Sequence, residues 1–220
     1  MKIILISLVL LSGMAHSFEI DPTRFDTLPD KAKEVVLDAI VDFPDRRPSV
    51  GDQVPDDFSM MMTIERLKQP LDQVWAAYTS VAPAIVWSGP RVNYAMAIDR
   101  DTQQVYYPDE TSPRFKERLM FMNYLNFVGK YMVIGLEVTK IDHVKKEIEI
   151  AYLEGNASRG KQILKFKASK NGTQINHISL YQSDSWFRDL VVYPFFHRLT
   201  TGEHHKRMKR MILENKKSPL

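Results

Sequence analysis

Four strand-like runs stand in series between Tyr131 and Gln182, with only short turns between them. They are Tyr131 to His143, Glu147 to Tyr152, Gln162 to Ala168 and Thr173 to Gln182. Turn-forming residues separate them: Asp142-His143, Glu154-Gly155-Asn156 and Lys170-Asn171-Gly172. An Asn-Gly pair flanked by β-rich runs is a strong hairpin signal. A parallel pair needs a crossover of a dozen or more residues, so connections this short dictate an antiparallel meander. Such a sheet has one face that a helix must cover.

The rest of the chain supplies the cover. Ser185 to Asn215 reads as a long helical segment, bent near Pro194. Its apolar stripe runs Phe187, Val191, Phe195, Leu199, Gly202, His205, Met208, Ile212, in steps of three and four. Upstream, Ser59 to Arg66 has strand-forming residues, and Pro70 to Ser80 (PLDQVWAAYTS) reads as a helix with Val74, Trp75 and Tyr78 on its apolar face. Val92 to Asp99 and Val105 to Tyr107 are strand-like. Pro113 to Val128 has Phe115, Leu119, Met122 and Leu125 at helical spacing, which predicts a helix. Thr27 to Phe43 is a further helix, with Thr27 as its cap and Pro29 in its first turn. Val35, Val36, Ala39, Ile40 and Phe43 form its stripe. Pro44 to Asp57, rich in Pro and Asp, reads as an irregular linker. The fold class is therefore α+β: an antiparallel curved sheet gripping a long C-terminal helix, with an N-terminal helical appendage.

The first 17 residues set an expectation of location. Lys2 is a short positive region, Ile3 to Leu11 is apolar, and Ala15-His16-Ser17 is a small-x-small cleavage site. Together they form the pattern of a secretory signal peptide. The apolar run is well short of the roughly 20 residues that span a bilayer. The chain divides into a signal peptide (1–17), an N-terminal helix and linker (18–57) and a main domain (58–215). The expectation is an exported protein, periplasmic in a Gram-negative cell and otherwise secreted. With no cysteine there is no disulfide, thiolate nucleophile or thiolate metal ligand, and stability must come from the core.

Charge is uneven. Residues 18–57 hold eleven acidic side chains against five basic ones, and 188–217 hold eight basic against three acidic. Either the two ends attract each other or they face different partners. Lys206, Arg207, Lys209 and Arg210 read as a solvated helix face, with anionic lipid headgroups as the alternative partner. There is no Gly-rich phosphate loop and no aromatic-basic strand pattern, and nucleic acid is not an expected partner.

The order strand, PLDQVWAAYTS helix, meander and final helix resembles the helix-grip superfamily, the START-like or Bet v 1-like proteins, over about Ser59 to Leu213. Pro70, Val74 and Trp75 match the P-x-x-x-V-W that commonly opens the superfamily's first short helix. Ala151 to Leu164 and Gly172 to Ser179 are also similar to the uncharacterised DUF1990 (UPF0548) domains, from which Lys161 departs. The superfamily resemblance implies a cavity between sheet and helix for an apolar or amphipathic ligand. It implies no single chemistry, because function lives in the site.

The candidate ligand-binding residues are Trp75 and Tyr78 on the short helix, His177, Ser179 and Tyr181 on the last strand, and Phe187, Val191, Phe195, Gly202 and His205 on the final helix. Strand parity puts His177, Ser179 and Tyr181 on one face, and Arg159 and Glu154 are placed at the cavity's rim. His197 and His204 fall on a neighbouring stripe with Thr201 and Met208. They are two turns apart, roughly 10 Å, too far to share one ion from a straight helix. No metal ligand, cofactor or catalytic residue is assigned, and no G-x-S-x-G or H-E-x-x-H occurs. Met60, Met61, Met62, Met208 and Met211 suit either core or an adaptable pocket. Three functions stay open. The leading one is a carrier of an apolar or amphipathic small molecule or lipid. The second is an enzyme of the same fold using His177, Tyr181 or His205. The third is an envelope interaction module.

Overall fold

The computed structural model describes residues 18–110, 112–183, 185 and 193–214. The expected signal peptide lies outside the described residues, as do Phe187 and Val191. Eight strands form one sheet in the order β1-β8-β7-β6-β5-β4-β2-β3, antiparallel at every pairing. They are β1 (Ser59–Leu67), β2 (Val92–Asp99), β3 (Gln104–Tyr106), β4 (Leu119–Phe127), β5 (Lys130–Asp142), β6 (Glu147–Tyr152), β7 (Ser158–Ser169) and β8 (Gly172–Ser183). The helices are α1 (Asp30–Ala39), α2 (Leu71–Ser80), α3 (Pro83–Val86) and α4 (Tyr193–Glu214). Register slips between Tyr94 and Met96 and between Val138 and Lys140 mark bulges, which bend strands and curve a sheet.

The meander follows the expectation, with one change in its turn chemistry. Ser169 pairs with Gly172, so Lys170 and Asn171 form the hairpin loop. The positive φ falls on Gly172 (129°) and not on Asn171, so this is not the Asn-Gly turn that needs both loop residues left-handed. A β-carbon at Gly172 would lie 2.1 Å from the Leu67 carbonyl oxygen.

The expected helix over Pro113 to Val128 is instead β4. Its residues Leu119 to Leu125 are all buried. A strand covered on both faces reads as a continuous apolar run rather than an alternating one. Such a run satisfies a helical spacing by accident. Leu119, Phe121 and Leu125 face an inner core with Trp75, Tyr78, Leu136, Phe166 and Met208. Met120, Met122 and Tyr124 face an outer core with Phe25, Ala32, Val36, Ala39, Phe43, Met96 and Leu153.

The N-terminal region is therefore more than an appendage. α1 begins later than the sequence pattern indicates, with Pro29 rather than Thr27 at its cap. Ala32, Val36 and Ala39 are its buried face, and Phe43 follows in a 3-10 turn. The linker that follows is irregular but stitched down. The Ser49 N–H donates to the Tyr152 carbonyl, the Glu154 N–H to the Arg47 carbonyl, and the Gly160 N–H to Ser49 Oγ. Arg100 pairs with Glu137 at 3.0 Å and also donates to the Pro44 carbonyl. Lys161 bridges Glu149 (2.9 Å) and the Asp52 carbonyl (3.0 Å). The acidic N-terminal segment and basic α4 thus pack on opposite faces of the sheet rather than against each other.

Candidate functional site

On β8 the alternation is clean: Ile175, His177, Ser179 and Tyr181 are buried, and Ile178 and Leu180 are half-buried on the other face. α4 lies over that inner face. Its buried residues are His197, Thr201, His204, His205, Met208 and Ile212. The expected stripe is corrected at its N-terminal end. Phe195 is 60% exposed, Leu199 and Gly202 are only half-buried, and a β-carbon at Gly202 would meet nothing within 4 Å. Each step of four overshoots a full turn by roughly 40°, so a run of such steps walks off the buried arc. The neighbouring stripe of His197, Thr201 and His204 takes the inward position. Met60 and Met62, 70% and 51% exposed on the outer side of β1, belong to neither core nor pocket, whereas Met208 is core.

Four of the six histidines meet tyrosines beneath α4. Nε2 of His205 is 2.9 Å from Nδ1 of His177, and Nδ1 of His205 is 2.8 Å from the Tyr78 hydroxyl. Nε2 of His177 is 2.9 Å from Oε1 of Gln162, whose Nε2 donates to the Tyr152 hydroxyl at 2.8 Å. Tyr152 bonds Tyr193, and Ser179 bonds Nε2 of His197. His204 stacks on Trp87 at 4.5 Å and Tyr193 on Tyr181 at 3.6 Å.

Burial holds this network neutral. It pulls His197 down to about 3 and His205 to about 4, and takes His177 and His204 well below the ordinary imidazole value. Neighbouring histidines add to the fall for His177, His197 and His204. Burial also pushes the Tyr152 hydroxyl up to about 12. Among the described residues, no group of three side chains is arranged to hold a metal ion.

Beside the network, between α4 and strands β2 and β4 to β7, lies a cavity of about 320 Å³. Its apolar wall includes Val92, Leu125, Met132, Ile134, Leu136 and Phe196. Its polar wall includes Asn123, Gln162, Tyr152, Tyr193, His197, Thr200 and Thr201, with Trp87 adjoining. Among the described residues, none that lines it is Asp, Glu, Lys or Arg. Nε1 of Trp87, Oδ1 of Asn123 and Nδ1 of His197 are buried and have no hydrogen-bond partner among the described residues.

The expected site residues divide accordingly. His177, Ser179, His205 and Tyr78 form the polar floor behind the cavity and are not part of its lining. Tyr78 and His177 line a much smaller gap. Tyr181 supports Tyr193 by stacking. Trp75 is buried against Phe166 and donates to His143, away from the cavity. Phe195 and Gly202 do not line it. Arg159 bonds Gln182 and lies over Phe58, so it does not rim the mouth, and Glu154 is exposed. Of the basic run, Lys206, Lys209 and Arg210 are exposed and Arg207 donates to the Ser88 carbonyl. Sequence reasoning missed Trp87, Asn123, Tyr152 and Gln162. Asn123 was hidden by the helical reading of β4, although a lone Asn in LMFMNYL was a visible signal.

A sheet curled around a long C-terminal helix, with a cavity between them, defines a helix-grip protein. Solved structures carry the comparison. Ginseng major latex-like protein 151 from Panax ginseng superposes with a TM-score of 0.52 at 10% identity, over 71% of this chain and 98% of that one. Ara h 8.0201 gives 0.50 at 12% identity, over 72% and 99%. Protein NE0264 from Nitrosomonas europaea gives 0.50 at 8% identity, over 75% and 100%. At these identities the likeness is one of fold, and the fold is Bet v 1-like. No protein-family model matches the chain, so the finer resemblance to the DUF1990 domains gains no support, and no curated sequence matches it.

Proposed function

We propose that this protein binds an apolar or amphipathic small molecule in the cavity between its sheet and α4. The observation that carries the reading is the cavity itself: about 320 Å³, walled by aliphatic and aromatic side chains, with a few polar groups at one side. That is the ordinary constitution of a small-molecule site. Its volume is at the low end of the usual range of roughly 300–1,000 Å³. It suits a compact ligand better than a two-chain lipid. We place the protein's action outside the cytoplasm, a reading supported by the signal-peptide pattern of residues 1–17.

The test is native mass spectrometry of the full chain purified from its natural source, with solvent extraction of anything that remains bound. Uptake of the uncharged dye Nile red is measured in parallel. A co-purifying apolar molecule, or saturable dye uptake abolished by filling the cavity with Thr200→Trp, supports the reading. A protein that carries nothing and takes up no dye overturns it.

A further inference from the structure

The sheet ends on two unlike edges. β3, at one end, has three residues. β1, at the other, has nine, Ser59–Leu67, paired along its length with β8 on one side and with no strand among the described residues on the other. Every second residue of such an edge turns its N–H and C=O outward, free to extend the ladder. Edges that stay single are commonly short, or carry a proline, a lysine or a bulge. β1 has none of these, and its register with β8 does not slip. Its outward side chains Met60, Met62 and Ile64 are 70%, 51% and 39% exposed.

The outer face beside that edge is open as well. The outer core built with α1 includes no residue of β1, β7 or β8. There Ile178 and Leu180 on β8 and Ile163 on β7 are only half-buried. Met60 stands opposite Leu180, Met62 opposite Ile178, and Ile178 opposite Ile163. With Ile64, these side chains form one apolar patch that reaches the free edge.

The charges around the patch fit a second copy of the same strand. Asp56 and Asp57 stand just ahead of β1, and Arg66 and Lys68 at its end. Asp56, Arg66 and Lys68 are exposed and make no ion pair with another described residue. Antiparallel pairing of two β1 strands lays the acidic start of each beside the basic end of the other. Parallel pairing would set like charges together. A two-fold axis normal to the sheet also keeps outer side chains opposite outer side chains. With the axis through Met62, that residue faces its own copy and Met60 faces the other copy's Ile64. With the axis through Met61, Glu65 is brought toward Asp57, and through Thr63, Met60 is set against Arg66.

We propose that the protein forms a two-fold dimer through β1, the two strands antiparallel and centred on Met62, so that the two sheets continue as one. Both α4 helices then lie on the same face of the joined sheet. The dimer does not depend on what the cavity binds.

Sedimentation of the full chain over a concentration series should show a reversible monomer–dimer equilibrium. Met62→Glu sets two carboxylates face to face on the axis and should raise the dissociation constant about tenfold or more, while the circular dichroism of the monomer is unchanged. Lys68→Asp should weaken the dimer, and Asp56→Lys added to it should restore it. The chain has no cysteine, so a single introduced thiol reports the register. Under copper–phenanthroline oxidation, Met62→Cys should cross-link to its own copy faster than Met60→Cys, because only the former brings two β-carbons within disulfide reach. Simple collision would favour position 60, the more exposed of the two. A chain that stays monomeric throughout the series overturns the proposal. So does faster cross-linking of Met60→Cys, and so does a dimer indifferent to Met62→Glu. Phosphatidylcholine vesicles that bind the monomeric parent chain but not Met62→Glu would assign the patch to a membrane surface and overturn it too.

Discussion

Nε2 of His205 lies 2.9 Å from Nδ1 of His177, and the other nitrogen of each ring bonds a tyrosine or an amide rather than a carboxylate. Two imidazoles in such contact share one hydrogen between them and leave no room for a second positive charge.

Acid should therefore unfold the protein earlier than its carboxylates alone dictate. His205 falls to about 4 and His197 to about 3, against 6.5 in the unfolded chain. Between those values the unfolded state binds more protons than the native one, so stability rises with pH across that window. It is complete above about 6.5 and lost progressively toward pH 4 and then 3. The lowered carboxyls of Asp99 and Asp142 act only below their ordinary 3.8. Melting temperature should be flat from pH 8 to 7 and fall steadily from 6.5 to 4.5. A flat profile down to pH 4.5 would count against the neutral network.

Tyr152→Phe removes the hydroxyl that joins Gln162 to Tyr193. Two buried polar groups lose a partner while packing is kept. The expected cost is about 1–3 kcal/mol, read from the urea midpoint. A midpoint within error of the parent protein would show that these contacts are replaced by water.

Phe43→Ala tests whether the N-terminal segment belongs to the fold. Phe43 is fully buried in the outer core, and its ring is 3.0 Å from where a β-carbon on Gly135 would stand. A loss of about 3–5 kcal/mol is expected. Deleting residues 18–57 uncovers Met96, Ile98, Met120 and Met122 and should give an aggregating chain. A soluble, cooperatively melting truncation would refute the two-sided core.

Gly160→Ala should be among the most damaging single changes. Gly160 has φ 133°, and an added β-carbon would sit 2.0 Å from the Leu180 carbonyl oxygen across the β7–β8 pair. Soluble yield and melting temperature should both drop sharply, whereas Gly51→Ala, with open space around it, should be neutral.

The meander and the covering helix were legible because turn residues and periodicity act locally. β4 was not, because burial on both faces erases the alternation that marks a strand, and its second cover comes from residues about eighty positions upstream. The helical stripe was half right for a related reason. Steps of three and four fit two adjoining arcs of α4, and packing against β8 chose the arc holding His197, Thr201 and His204. His177, Ser179 and Tyr181 were placed on the correct face by parity, but parity says nothing about depth. They lie behind the cavity instead of in it. The polar wall draws Asn123, Tyr152, Gln162 and His197 from three strands and a helix, a convergence that exists only in the folded chain.

The second core on the far side of β4 changes what surrounds the cavity. Asn123 and Leu125 face the cavity, and behind them Met120, Met122 and Tyr124 meet the α1 segment instead of water. The wall has protein on both sides, so it is insulated where an ordinary two-layer grip would be damp. In that drier setting a hydrogen bond to Asn123 or His197 is stronger, and a group that fails to make one keeps its full penalty. The forty residues ahead of β1 thus set the polarity of a cavity to which they contribute no lining side chain.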